Sequence, residues 1–325
     1  MKVLVTGATG FIGRRLVERL HQDGAEVLAL VRDSRHGLPE GVRPVYGDIL
    51  SPESLVDHGQ GCDRLFHLAA LITFDARKRE ELIKVNAQGT AVMLEAARRW
   101  KVKRSVVVSS GCTIGLSYAA ERILAEDAPL DARLLKANPY MESKILAERE
   151  ALKAADEQEV VVVNPTTVYG PGDWRLNSGA LVLMIAGARV LPVPPGGSNV
   201  VDVDDVVEGI LAAGERGRSG RRYILGGENL TFQQIFRIIA QEVGRSPVKI
   251  PIPRWMQKPV SLASWFAGRI FGGRFLTPQI VSDLFAFKFY SSARAQQELG
   301  WSPRHSFQES VERAWAFYRQ EGLAQ

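Results

Sequence analysis

Lys2-Val3-Leu4-Val5-Thr6-Gly7-Ala8-Thr9-Gly10-Phe11-Ile12-Gly13 opens the chain, and its reading decides the fold. A short apolar run ends at three glycines spaced three apart, and a helix-length segment follows from Phe11 to Asp23. A strand that turns through glycine into a helix is the context a dinucleotide-phosphate loop requires. Glycine permits the tight turn and the close backbone approach, and the helix N-terminus attracts the pyrophosphate charge. The spacing is G-x-x-G-x-x-G, not G-x-G-x-x-G. The same glycines could also serve only to pack a helix on a strand.

Working outward, the runs Val3–Val5, Val27–Val31, Arg64–Leu68, Ser105–Val108 and Val160–Val163 read as strands buried on both faces of a parallel sheet. Helix-length segments such as Lys78–Trp100 and Tyr140–Asp156 separate them. That alternation predicts an α/β fold, a doubly wound parallel sheet of the Rossmann type. After Gly170 the texture changes. Leu191-Pro192-Val193-Pro194-Pro195-Gly196-Gly197 is a loop signal, and helices are expected to dominate from there. Residues 255–290 hold nine aromatics in 36 positions against 8% for the chain, which marks a separate core or pocket wall. The expected division is an NAD(P)-binding domain over 1–170, with a return near 200–228. A smaller, mainly helical substrate domain would take 171–199 and 229–325.

Composition narrows the class. The 325 residues amount to about two domains. A content of 46% hydrophobic and 24% charged residues excludes a disordered, collagenous or coiled-coil chain. Net charge is +5, from 41 basic and 36 acidic residues, and the charges read as scattered. This suits a phosphate-bearing small ligand, not a nucleic-acid platform. Cys62 and Cys112 are too few for a disulfide framework or a zinc cluster, so no metal is expected. Arg189 and Arg269 break the longest apolar runs short of a bilayer span, and Gly7 ends the first run too early for a signal peptide. A cytoplasmic protein without an integral membrane segment is expected.

Tyr140-Met141-Glu142-Ser143-Lys144 places a phenol and an amine four apart, on one face of a helix. A free tyrosine titrates near ~10, and a nearby ammonium favours the phenolate, bringing proton transfer toward neutral pH. His67 lies inside an apolar strand with no second histidine at ligand spacing, and reads as packed and hydrogen-bonded. His21, His36, His58 and His305 read as surface.

The glycine spacing and the Tyr-x-x-x-Lys pair together resemble the short-chain dehydrogenase/reductase superfamily, specifically its extended branch, the NAD-dependent epimerase/dehydratase family. Landmarks in family order cover nearly the whole chain. Gly47-Asp48 looks like the adenine-contacting acid, and Phe66-His67-Leu68-Ala69-Ala70 like the strand-four motif. Val85-Asn86-Ala87-Gln88-Gly89-Thr90 resembles the asparagine helix, and Asn164 to Gly172 the segment capping the nicotinamide. Tyr290-Ser291-Ser292-Ala293-Arg294 with Leu299-Gly300-Trp301-Ser302-Pro303 is similar to the C-terminal signature.

The resemblance implies a catalytic trio of Ser110, Tyr140 and Lys144. It implies cofactor contacts from Gly7, Thr9, Gly10, Phe11, Ile12 and Gly13, then from Arg32, Asp48 and Ile49. Leu68, Ala69, Ala70, Asn86 and Ser109 would line the middle of the cofactor, and Tyr140, Lys144, Asn164, Pro165 and Thr167 its nicotinamide end. A homodimer through a four-helix bundle of Lys78–Trp100 and Tyr140–Asp156 is implied on the same ground.

The cofactor is read at Leu30-Val31-Arg32-Asp33. Family members that prefer NAD usually carry an acid at the end of this strand; here Val31 holds that place, and Arg32 can pair with a 2′-phosphate. NADP(H) is expected, with NAD(H) kept open by Asp33. Dehydratases of the family follow the serine or threonine with Asp-Glu, whereas Gly111-Cys112 follow Ser110, so dehydration is disfavoured. Arg32 and the aromatic C-terminal region resemble dihydroflavonol reductases and hydroxysteroid dehydrogenases. Asn164-Pro165-Thr166, Gly170-Pro171-Gly172-Asp173 and Tyr223 to Asn229 resemble the hopanoid-associated sugar epimerases. The expected chemistry is hydride transfer between nicotinamide C4 and the carbonyl of a largely apolar small molecule, with Tyr140 as acid/base. The alternatives are a nucleotide-sugar 4-epimerase with transiently reduced bound NAD, and a non-catalytic cofactor-binding regulator. Trp255, Trp265, Phe266 and Phe271 are expected to line a substrate pocket or to form the small domain's core. Asp202 stands where the family commonly has histidine, and Arg175 is the best-placed cation for a sugar-nucleotide diphosphate.

Overall fold

The computed structural model describes residues 1–33, 37–73, 75–130, 138–271 and 278–324, with backbone alone for 265–271 and 278. Seven parallel strands build the main sheet: β1 (Lys2–Thr6), β2 (Glu26–Val31), β3 (Arg43–Tyr46), β4 (Arg64–His67), β5 (Arg104–Val108), β6 (Val160–Pro165) and β10 (Arg222–Leu225). Their order is β10-β6-β5-β4-β1-β2-β3. Succession runs one way from β1 to β3 and the other way from β4 to β6, so a crevice opens at the C-terminal ends of β1 and β4.

The two-residue period of these strands splits their apolar side chains between two cores. Val3, Val5, Phe66, Val106 and Val161 meet helices α1 (Phe11–Gln22) and α6 (Val203–Arg216) on one face. Leu4, Leu28 and Leu65 meet α3 (Gly89–Arg99), while Val107, Val160 and Val162 meet α3 and α4 (Pro139–Ala154), on the other. Strand positions between helices are therefore mostly apolar, which is why these runs read as strands at all.

Three features depart from the sequence reading. The segment expected as one helix over Lys78–Trp100 is α2 (Arg79–Ile83) joined to α3 through a π-helical turn at Lys84–Gln88. Such a turn widens the helix where a side chain must be re-aimed, and Asn86 is that side chain. Edge strand β3, Arg43-Pro44-Val45-Tyr46, has too little apolar pattern to be legible.

The C-terminal part also contains sheet where helices were expected to dominate. Strands β7 (Thr167–Tyr169), β9 (Gly197–Asp202), β11 (Glu228–Thr231) and β13 (Phe287–Lys288) form one small sheet. Strand β8 (Val190–Val193) pairs in parallel with β12 (Val248–Pro251). The proline-rich stretch read as a loop is β8 in part, its Leu191 and Val193 buried between exposed neighbours. Around these strands lie α5 (Gly179–Gly187), α7 (Phe232–Glu242), α8 (Gln257–Phe271), α9 (Pro278–Leu284), α10 (Ala293–Leu299) and α11 (Phe307–Gln320). Tyr169, Ile185, Phe236, Ile239, Val311 and Tyr318 lie in their shared core.

The segment after β5 is sewn to β13: Ser117 and Phe287 exchange backbone hydrogen bonds of 2.9 and 2.7 Å, and Leu124 N–H donates to Phe289 at 2.8 Å. This seam holds the residues following Ser110 over the C-terminal ends of the main sheet. Among the described residues no helix is long and apolar enough to cross a membrane.

Candidate active site

The glycine loop fills the crevice because nothing larger fits. Gly7 has φ +71°, and a Cβ there would stand 2.7 Å from Leu68 C and Ala69 N. A Cβ on Gly13 would stand 2.0 Å from the Gly7 carbonyl oxygen. Loop, strand end and helix α1 thus interlock at backbone distance, with Leu68, Ala69 and Ala70 partly exposed beside the loop. Gly10 begins α1 without a side-chain cap and with no acid in the first turn. Its N–H bonds the Gly7 carbonyl at 2.9 Å. Thr9, Phe11 and Ile12 keep partial or full exposure on the same rim.

Beneath the loop runs a line of buried polar groups. Thr90 Oγ1 donates to the Asn86 carbonyl (2.6 Å), so its oxygen accepts from His67 Nε2–H (3.1 Å). The ring then accepts at Nδ1 from Thr6 Oγ1 (2.8 Å), whose oxygen accepts from Ala69 N–H (3.1 Å). His67 is 2% exposed, and burial draws its pKa down to about 3, so it is a neutral connector. Asn86 extends the line. It accepts from Leu71 N–H (2.7 Å) and donates to the Leu71 carbonyl (3.0 Å) and to Ser143 Oγ (2.9 Å). Ser143 in turn donates to the Tyr140 carbonyl at 2.7 Å. Loop, strand four, the π turn and the first turn of α4 are therefore one hydrogen-bonded unit. The sequence marked Asn86 for the cofactor; the structure spends its side chain on positioning.

Ser110, Tyr140 and Lys144 converge at the end of β5. Asn138 caps α4, its side chain accepting from Met141 N–H at 3.0 Å, and Pro139 fits the first helical position. This starts the helix so that Tyr140 hydrogen-bonds the Ser110 side chain. Cys112 N–H also donates to Ser110 Oγ at 3.3 Å. One turn on, Lys144 is 6% exposed and donates from Nζ to the Val108 carbonyl at 3.1 Å.

Burial, together with Cys112, pushes the Tyr140 phenol above its ordinary range against the opposing hydrogen bond from Ser110. Burial also lowers Lys144 to about 8, opposed by Cys112 and Glu148. The expected pull of Lys144 toward the phenolate is not among the influences on Tyr140, whose shift follows burial and Cys112.

Glu148, a further turn along α4, was missed in the sequence. Its carboxylate accepts from Thr113 Oγ1 (2.7 Å), Asn164 Nδ2 (2.5 Å) and Arg222 Nη1 (2.9 Å). The only signal was its spacing, four residues after Lys144. Asn164, expected against the nicotinamide, is fully buried, and its amide also donates to the Ser110 carbonyl at 3.2 Å. Its amide nitrogen holds the serine turn, while its Oδ1 is buried without a hydrogen-bond partner. Pro165 is buried at the end of β6, and Thr167 hydrogen-bonds Ser198 at 2.8 Å.

Asp48 accepts from Leu50 N–H at 2.9 Å, and a Cβ on Gly89 would press Ile49 at 2.8 Å. At the end of β2, Arg32 is exposed and makes no ion pair among the described residues. Arg14, unmarked in the sequence, donates from Nη1 to the Gly37 carbonyl at 2.9 Å and brings a second guanidinium to that edge. The residues fit a dinucleotide on two observations: the backbone cradle that only glycine permits, and the buried Ser109 hydroxyl beside Ser110, which has no partner.

Other expectations are displaced. Asp202 is buried as the N-cap of α6, accepting from Asp204 N–H (2.8 Å) and Arg313 Nη1 (3.2 Å), so it faces structure, not substrate. His305 is only partly exposed and bonds Asp205 at 3.0 Å. Arg175 is exposed and unpaired among the described residues. Trp255 is 74% exposed and so is neither core nor pocket wall, while the side chains of Trp265, Phe266 and Phe271 lie outside the described residues. His36 also lies outside them. A cavity of about 400 Å³ lined by Arg19, Asp23, Arg64 and Glu208 sits at the opposite, N-terminal end of the strands, away from these groups.

A model of the NAD dependent epimerase/dehydratase family matches residues 3–226. The chain is 33% identical to a Synechocystis sp. protein named as a candidate dihydroflavonol 4-reductase, over 98% of this chain and 94% of that one. It is 32% identical to sterol demethylase protein B of Methylococcus capsulatus, over 99% of this chain and all (100%) of the relative. The crystal structure of gox2253 superposes with a TM-score of 0.85 at 32% identity, covering 99% of both chains.

Proposed function

The chain belongs to the NAD dependent epimerase/dehydratase family and is an NAD(P)-dependent enzyme, and on that premise we propose that it reduces the carbonyl of a largely apolar small molecule with NADPH. The observation that carries the reading is the convergence of Tyr140, hydrogen-bonded to Ser110, with Lys144 one turn on, and Gly111 and Cys112 where an elimination would want acids. A phenol hydrogen-bonded beside Ser110 is placed to give its proton to the oxygen of a carbonyl as negative charge develops there, which suits reduction.

When bound, the reduced nicotinamide supplies the hydride. Ser110 Oγ hydrogen-bonds the carbonyl oxygen and orients it. Tyr140 donates its proton to that oxygen as negative charge develops there. Lys144, an ammonium below pH about 8, supplies the positive charge that offsets the phenolate left behind. Arg32, with Arg14 nearby, accounts for a preference for NADP(H): an exposed guanidinium can pair with the 2′-phosphate.

The substrate class rests on the names of the relatives, a candidate dihydroflavonol reductase and a sterol demethylase protein, with Arg175 an exposed cation unpaired among the described residues. Isothermal titration of the NADP-loaded protein tests it. Heat with a planar polyphenol or steroid ketone, and none with UDP, is the expected result. Micromolar UDP binding with no response to the apolar ligands would transfer the site to a nucleotide-sugar epimerase.

A further inference from the structure

The positive charge of the chain is not scattered as the sequence reading had it. Between Glu242 and Asp283 stand six basic residues and no acidic one, more than the net charge of +5 of the whole protein. The described part of this stretch also exposes its large apolar side chains. Val248 and Ile250 on β12 lie beside Val190 and Pro192 on β8, all four exposed, while Leu191 and Val193 point into the core. Trp255 is 74% exposed, and Leu262, seven residues on along α8, is 59% exposed. Arg245, Lys249 and Lys258 are exposed without an ion pair among the described residues.

Arg254 connects this surface to the active site. Its guanidinium lies over the Phe287 ring, 5.4 Å from the centroid, and donates to the Tyr118 carbonyl at 2.9 Å. Phe287 is bonded to Ser117, and Tyr290 lies 3.3 Å from where a Cβ on Gly111 would be, next to Ser110. Between the serine turn and the segment of the exposed tryptophan, the buried Phe287 and Tyr290 rings make an aromatic wall.

Water-exposed apolar side chains among unpaired cations match a lipid interface: the apolar groups enter the acyl boundary, and the cations meet anionic headgroups. A second copy of the chain would bring like charges together, which costs binding energy. We propose that the outer face of β8 and β12, with Trp255 and the start of α8 that follows it, docks the protein on an anionic lipid surface. An apolar substrate then enters from that surface, a clause that rests on the reductase reading.

Flotation of the full chain with extruded vesicles tests this. The protein is expected to float with vesicles containing phosphatidylglycerol, not with pure phosphatidylcholine, and to be released by high salt. Each cation near such a surface strengthens binding about fivefold, so Lys249→Glu with Lys258→Glu should weaken partitioning by at least ~25-fold. Trp255→Ser with Leu262→Ser should weaken it with every charge intact. No flotation on anionic vesicles, or flotation indifferent to the two charge reversals, overturns the docking. So does a dimer that Trp255→Ser dissociates, which would give the face to a second copy. NADPH turnover of a water-soluble ketone by the charge-reversed protein is measured alongside and is expected to be unchanged. Turnover by wild type without vesicle binding removes the docking alone; vesicle binding without turnover of any apolar ketone removes the reductase reading alone.

Discussion

In the nucleotide-binding half, polar side chains are buried and almost fully paired; in residues 243–264, apolar and cationic side chains are exposed and mostly unpaired. Both patterns break the ordinary rule of apolar inside and polar outside, in opposite senses. The buried network fixes Tyr140 and the glycine loop in one rigid unit before any ligand arrives, as a hydride-transfer geometry demands. The exposed stretch is tied down through β8 and Arg254, yet its outer apolar and cationic side chains are largely without partners among the described residues, and such a surface is explained by something outside the protein.

Tyr140→Phe is the largest expected break in the first region. It removes the proton donor and leaves the ring, so turnover should fall by at least ~100-fold while cofactor affinity stays nearly unchanged. Full activity of the variant on any confirmed substrate would remove Tyr140 from the mechanism. Next is Arg32→Ala. A charge-assisted contact of this kind contributes about 1.5–3 kcal/mol, so NADPH should bind ~10- to 150-fold more weakly and NADH almost as before. Equal losses for both cofactors would place the 2′-phosphate elsewhere.

The pH dependence of stability separates the buried groups from the exposed ones. His67 is neutral when folded, with its pKa drawn down to about 3 from an ordinary value of 6.5. The unfolded chain therefore binds a proton that the native chain refuses as pH falls from 6.5 toward 3, and stability declines by up to about 1.4 kcal/mol per pH unit from this residue. Urea unfolding of His67→Leu should start from a lower stability, because Thr6 and Thr90 lose their partner, yet fall less steeply between those limits. A slope equal to that of wild type would mean His67 is not buried neutral.

The smallest effect belongs to Lys144. Its pKa is depressed to about 8, so between pH 8 and its ordinary 10.5 the unfolded chain holds the extra proton and wild-type stability rises with pH. Lys144→Met should raise the unfolding midpoint by a few degrees at pH 7, a margin that shrinks as pH climbs through that window.

How much was legible in the sequence follows the same division. Strands such as Val160–Val163 announce themselves because both faces are buried, and the glycine loop because no other residue fits 2.0 Å from a carbonyl. The Tyr140–Lys144 pair was legible as a spacing, and Ser110 only through the family resemblance. The π turn at Lys84–Gln88 was not, since it exists to aim Asn86 at Leu71 and Ser143, partners 15 and 57 residues away. Asn164 looked like a cofactor residue by its motif, but Glu148 claims its amide, a contact across two elements that no local pattern records. The short strands β8, β11 and β13 were hidden by prolines, polar residues and sheer brevity. The aromatic density of residues 255–290 suggested a core or pocket wall: Phe285, Phe287, Phe289 and Tyr290 are buried accordingly, while Trp255 points outward.

The central claim, that a protonated Tyr140 serves net reduction of an apolar carbonyl, is met most directly by following NADPH consumption with a panel of steroid ketones, flavanones and UDP-sugars. The account predicts many turnovers with at least one apolar ketone, one NADPH lost per alcohol formed, and no consumption with any UDP-sugar. Interconversion of a UDP-sugar with no net loss of NADPH, and no turnover of the ketones, would contradict it.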